Sequence, residues 1–129
     1  MPSVVSHSPT DNPRVYAFDI NGSLTEVSVE SLAAALNQAF DDNEDKIDVL
    51  LIFSSQIETK VDAASLLSVD VIKAKFRELY RVRRYVTVGA PPSVERASKA
   101  LGVVFQLEVH TYPASALGDA CKLLQAQRR

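Results

Sequence analysis

Cysteine is almost missing from this 129-residue chain: Cys121 is the single one, so no disulfide can form within the molecule. A lone thiol fits a reducing compartment, and the cytoplasm is the expected location. Four Gly and six Pro are too few for a low-complexity linker, and Trp is absent altogether. Sixteen acidic against fourteen basic residues leave a net charge of -2, which gives no global field to gather nucleic acid or an anionic membrane. Long apolar runs are lacking too. The longest, Val49 to Phe53, falls far short of the roughly 20 residues of a membrane helix. The opening MPSVVSHSPTDN has neither the basic start nor the apolar core of a secretory signal, so none is expected. Only His7 and His110 offer imidazoles, and no Gly-x-Ser-x-Gly elbow, Gly-rich phosphate loop or metal-ligand cluster accompanies them. No cofactor is implied.

What is present is enough apolar matter for one core: 47% hydrophobic and 23% charged residues suit a single globular domain. After a short edge strand at Ser3 to Ser6 and a turn through Pro9 to Pro13, β-branched runs alternate with helical spacing. Arg14 to Ile20 reads as a strand broken by Asn21-Gly22-Ser23. Ser28 serves as the expected cap of helix one, whose apolar face is Val29, Leu32, Ala33, Leu36 and Phe40, ending near Asp41. Ile47 to Phe53 is a continuous apolar run, the pattern of a strand buried on both faces. Leu66, Val69, Ile72, Phe76 and Leu79 make the stripe of helix two. Tyr85 to Val88 is the next strand, Pro91-Pro92 opens a third helix and Gly102 closes it. Val103 to Val109 is then a strand, and Ala114 to Gln125 a final helix with Leu117, Cys121 and Leu124 inward. This order predicts an α/β domain over 14–129, preceded by a segment 1–13. Its sheet has four or five strands, largely parallel with an N-terminal antiparallel edge strand, and about four helices surround it.

Three constellations invite a chemical reading. Phe18-Asp19-Ile20-Asn21-Gly22-Ser23-Leu24-Thr25 resembles the first motif of haloacid dehalogenase-type phosphohydrolases, which would make Asp19 a nucleophile. Asn21 stands where that family's acid-base Asp belongs, and Ala90-Pro91-Pro92-Ser93 where its magnesium ligands belong, so a strand-ending turn is the simpler account. Asp41 to Asp45 begins like a calcium loop but has Lys46 at the Gly position and Ile52 at the bidentate Glu position. Arg77, Arg81, Arg83 and Arg84 form the one basic cluster, with Arg81, Arg83 and Arg84 as candidate anion contacts and helix capping as the plainer role. Tyr80 and Tyr85 beside it do not make a stacking platform, so nucleic acid is not expected as a partner. Cys121, on an inward stripe, reads as a buried small hydrophobe.

Taken together, Arg14 to Thr25, Arg84-Tyr85-Val86-Thr87-Val88-Gly89 and Glu108-Val109-His110-Thr111-Tyr112-Pro113 before the last helix resemble the SpoIIAA-like proteins, relatives of the STAS and CRAL-TRIO domains. The resemblance implies a STAS-like fold used as a regulatory module for binding a protein or small ligand, not as an enzyme. In the anti-sigma-factor antagonists a serine of an Asp-Ser-Ser-Gly-Leu-Gly motif is phosphorylated. Here the matching stretch is Asp62-Ala63-Ala64-Ser65-Leu66-Leu67, with both serines replaced by alanine and Ser65 displaced by one position. The CRAL-TRIO side implies a hydrophobic-ligand carrier, with Leu66, Leu67, Val71, Ile72 and Phe76 lining a pocket. The expected binding surface is the entrance of helix two, with Ser54, Ser55, Glu58, Thr59, Lys60 and Ser65, because ligands gather at the carboxyl ends of parallel strands. Self-association as a homodimer or higher homo-oligomer is the companion expectation.

Overall fold

Seven consecutive residues, Ile47–Phe53, are all buried, and they form the middle strand about which the chain is arranged. The computed structural model describes residues 5–8, 10–20, 26–43, 45–53, 69–75, 79–90 and 92–126. In chain order the elements are β1 (Val5–Ser8), β2 (Val15–Ile20), α1 (Glu26–Asp42), β3 (Ile47–Phe53) and α2 (Val69–Lys75). A 3-10 turn at Leu79–Arg81 leads to β4 (Val82–Val88), α3 (Pro92–Phe105) and β5 (Glu108–Tyr112). A second 3-10 turn, Ala114–Ala116, precedes α4 (Leu117–Leu124). Strands β2 to β5 are all parallel, and β1 runs antiparallel along β2. Spatial order equals chain order, β1-β2-β3-β4-β5.

That order dictates where the helices go. Crossovers between parallel strands share one hand, so crossovers that always step the same way across a sheet deliver their helices to the same face. Accordingly Leu32, Leu36 and Phe40 of α1, Ile72 of α2, and Val94 and Leu101 of α3 pack together on Phe18, Ile20, Val49, Leu51 and Phe53. Among the described residues, the opposite face is covered by the helix that follows the last strand: Ala120, Leu124 and the adjoining Ala126 pack on Val15, Ala17, Leu50, Ile52, Val86 and Val88. Alternation along β3 supplies both layers, odd residues to the three-helix side and even residues to the α4 side. Each buried Val, Leu or Ile of this strand contributes about 1.5–3 kcal/mol.

Several boundaries differ from the sequence expectation. Helix α1 starts at Glu26, so Ser28 lies within it and is not its cap. Apolar periodicity marks the buried face of a helix more sharply than its ends. Strand β4 starts at Val82, three residues before the expected Tyr85. The largest correction is at Val103 to Val109, expected as a strand: α3 runs through Gly102 to Phe105, and β5 is Glu108–Tyr112. Gly102 is there for space, since a Cβ would come within 2.5 Å of Val109 Cγ2 on the strand below. The helix stops at Gln106, which takes the left-handed φ of 57°, while the Leu107 N–H donates to the Gly102 carbonyl at 2.9 Å. Helix α4 ends the same way at Gln125, φ 54°, with the Ala126 N–H donating to the Cys121 carbonyl at 3.0 Å. Both are the usual left-handed helix ending, with glutamine where glycine is commonest. Leu66, Leu67 and Phe76 lie outside the described residues.

Two stability outcomes follow. Replacing Gln106 by Gly removes the strain of a left-handed side-chain residue and should raise unfolding free energy by about 0.5–1 kcal/mol, read by urea titration. The Thr87 hydroxyl is buried without a hydrogen-bond partner. Thr87→Val should therefore stabilise the fold by about 1 kcal/mol in the same assay.

Candidate functional site

The two ends of the parallel sheet differ in chemistry. At the amino end, every charged side chain predicted to meet an anion is engaged with the protein itself. Arg81 reaches back to the end of α1, donating to the Phe40 carbonyl at 2.8 Å and to the Asn43 carbonyl, with its guanidinium 5.9 Å from the Phe40 ring centre. It caps α1 and not the helix that precedes it. Arg83 occupies a register irregularity: Ile47 pairs with Val82 and Asp48 with Arg84, so Arg83 is the extra residue of a bulge. From there its guanidinium grips the Asp48 carboxylate at two points, 3.1 and 2.8 Å. Arg84 holds Glu108 at 2.8 Å and the Leu123 carbonyl of α4 at 3.1 Å. The structure thus brings Arg83 and Arg84 to one end of β4 with separate carboxylate partners, and Arg81 to another corner; Arg77 lies outside the described residues.

Charge acts locally here. Asp48, only 1% exposed, sits in an otherwise apolar strand. The bidentate hydrogen bond it donates to Asp48, and the negative charge of that carboxylate, hold the half-exposed Arg83 guanidinium even higher than its ordinary value. Contact with His110, whose Nε2 is 3.2 Å from Glu108 Oε2, followed by the Arg84 contact, keeps the Glu108 carboxyl below its usual range. Burial pushes the Tyr85 phenol up, opposed by the Ser98 hydroxyl that donates to it at 3.3 Å. The pairings of Asp48, Glu108 and Ser98 are not among the sequence expectations, although an acid inside IDVLLIF followed later by Arg83-Arg84 is a legible signal of buried pairing.

The acidic stretch after α1 is likewise occupied in structural contacts. Asn43 donates to the Tyr16 hydroxyl at 2.6 Å and to the Ala39 carbonyl at 2.8 Å, and Asp45 pairs with Arg14 at 3.1 Å. Among the described residues no three metal-capable side chains come together.

At the carboxyl end, Ile20 and Phe53 stand opposite each other in register, so β2 and β3 are left side by side. Gly89 turns the chain after β4 with φ 71°, and a Cβ there would press 2.9 Å from the Phe53 carbonyl. Asp19, half-buried in β2, faces Ile52 in register and so sits within the strand pairing. Ser54, Ser55, Glu58, Thr59, Lys60 and Ser65 lie outside the described residues.

A family model named SpoIIAA-like matches residues 15–125, which takes in strands β2 to β5 and helices α1 to α4 as described. The chain belongs to the SpoIIAA-like family. No curated protein and no solved structure matched it. The SpoIIAA-like domain holds an apolar cavity between the sheet and the three-helix layer, lined by Ile20, Leu36, Phe53, Ile72, Tyr85 and Val94 among others, of about 40 Å³. Cys121 is half-buried against the α4-side core. None of the described helices is long and apolar enough to cross a membrane.

The ion pair of this SpoIIAA-like domain has unequal halves. Asp48 is buried, whereas the Arg83 side chain is 53% exposed. Arg83→Ala strands a buried carboxylate and should cost about 3 kcal/mol, while Asp48→Asn leaves an arginine that water can solvate and should cost less. Urea unfolding of both variants checks the order.

Proposed function

We propose that this SpoIIAA-like domain is a non-enzymatic, regulatory binding module that takes a protein partner or a small polar ligand at the carboxyl end of β2 and β3. One observation carries the reading: the register of Ile20 with Phe53 ends β2 and β3 at one edge of the sheet, and the segments 21–25 and 54–68 follow those strands in the sequence. Those segments contain Ser23, Thr25, Ser54, Ser55, Glu58, Thr59, Lys60 and Ser65, a run of hydroxyls and opposite charges suited to polar recognition. The carboxyl end is where parallel sheets gather ligands. At the amino end, by contrast, Arg81, Arg83 and Arg84 have internal partners.

A hydrophobic-ligand carrier is the weaker reading. The apolar cavity of about 40 Å³ compares with about 300–1,000 Å³ for sites that enclose drug-sized molecules, so an acyl chain would have to displace a helix to enter.

The reading is tested with a photoreactive phenylalanine placed at Thr59 and, as a control, at the exposed Lys99 on α3. Irradiation in cells of the native host should give a discrete adduct at position 59 and none at position 99. Equal labelling at both positions defeats the placement. Magnesium-dependent hydrolysis of p-nitrophenyl phosphate that disappears in Asp19→Asn defeats the non-enzymatic assignment.

A further inference from the structure

Strand β5 ends the sheet, and among the described residues it pairs with β4 alone. The Tyr112 carbonyl accepts from the Gly89 N–H at 2.9 Å, which turns the backbone groups of Glu108, His110 and Tyr112 toward β4. By alternation, the N–H and C=O of Val109 and Thr111 point outward. Every residue of β5 keeps some exposure, unlike those of β3. Of the devices that protect a free edge, Glu108–Tyr112 contains no Lys, no Pro and no bulge, and its one charged side chain, Glu108, is paired with Arg84. Beside it, the last turn of α3 carries Val103, 81% exposed, and Val104, 51% exposed. These follow Gly102, which lies against Val109 of the edge strand. A backbone edge unpaired among the described residues and an exposed apolar pair therefore adjoin.

We propose that β5 pairs with β5 of a second copy of this chain, antiparallel and centred on His110, so that two sheets become one. This is independent of the carboxyl-end reading. In the His110-centred register Val109 of each copy faces Thr111 of the other. Each copy brings two outward donors and two outward acceptors, and all of them are matched, giving four hydrogen bonds across the two-fold axis. Side chains agree with the backbone. Glu108, an acceptor, lies opposite Tyr112 of the second copy, whose hydroxyl can donate. Self-pairing is favoured over a foreign strand because the spacing of this strand's own residues satisfies both sides.

Sedimentation velocity from about 1 to 100 µM tests it. The wild-type chain should form dimers, and Thr111→Pro, which removes one outward donor per copy, should weaken association at least tenfold. The register has its own check in a Cys121→Ser background. In an antiparallel pair that is not hydrogen-bonded, facing Cα atoms are about 4.5 Å apart, within disulfide reach. His110→Cys should therefore cross-link two copies on mild oxidation, while Glu108→Cys, which does not face itself, should not. A chain that stays monomeric throughout, a dimer indifferent to Thr111→Pro, or cross-linking at position 108 in preference to 110 overturns the proposal.

Discussion

Burial of β3 on both faces is the constraint on which the rest of this domain depends. A strand with Val49 and Leu50 fully buried back to back needs an apolar layer above and below, and a neighbour on each side for its backbone. The parallel strands β2 and β4 meet the second need. Helices α1, α2 and α3 meet the first on one side, and α4 with Ala126 on the other. Among the described residues, the imbalance of three helices against one is a result of strand order. Of the described residues, α4 and Ala126 cover the second face, and Arg84 and Asn12 both reach the carbonyls at the end of that helix, at Leu123 and at Leu124 and Gln125.

Charge was placed where it closes the sheet. Asp48 within β3, Arg83 at the bulge, and Arg84 with Glu108 and His110 beside it tie β3, β4, β5 and α4 together at the amino end. Lys75 and Glu30 join α2 to α1 at 3.2 Å. An arginine cluster that looks like an anion site in sequence is, in three dimensions, a set of separate fasteners. One-dimensional proximity of guanidinium groups says nothing about direction: Arg83 and Arg84 are adjacent in the chain yet pair with different strands.

Legibility varied with the physics behind each signal. Ile47–Phe53 was readable to the residue because a doubly buried strand has a composition that nothing else in the chain shares. The start of α3 at Pro92 was readable because proline fits a first turn. The end of α3 was not. Gly102 carries the usual sign of a stop but answers to the packing of Val109, and the left-handed ending fell to a glutamine with no special preference for it. Val103 and Val104 look like strand residues by composition, yet they sit exposed on a helix, because tertiary context overrides propensity. Of the proposed site, the sequence marks only an edge: the carboxyl end follows from strand direction, while the residues proposed for its contacts fall in 54–68, which lies outside the described residues.

A sheet strung in chain order also bears on how the molecule reaches its native state. Each of β2, β3, β4 and β5 hydrogen-bonds the strand that precedes or follows it in the chain, so no loop needs to close around a distant segment before pairing begins. Loop-closure entropy is then met in modest instalments, and the sheet can grow by adding one strand and one helix at a time. During synthesis, β2 through β4 and their helices can assemble before α4 has left the ribosome. Until then the face of Val15, Ala17, Leu50 and Val86 stands open to solvent, so the final helix completes the domain both in sequence and in time.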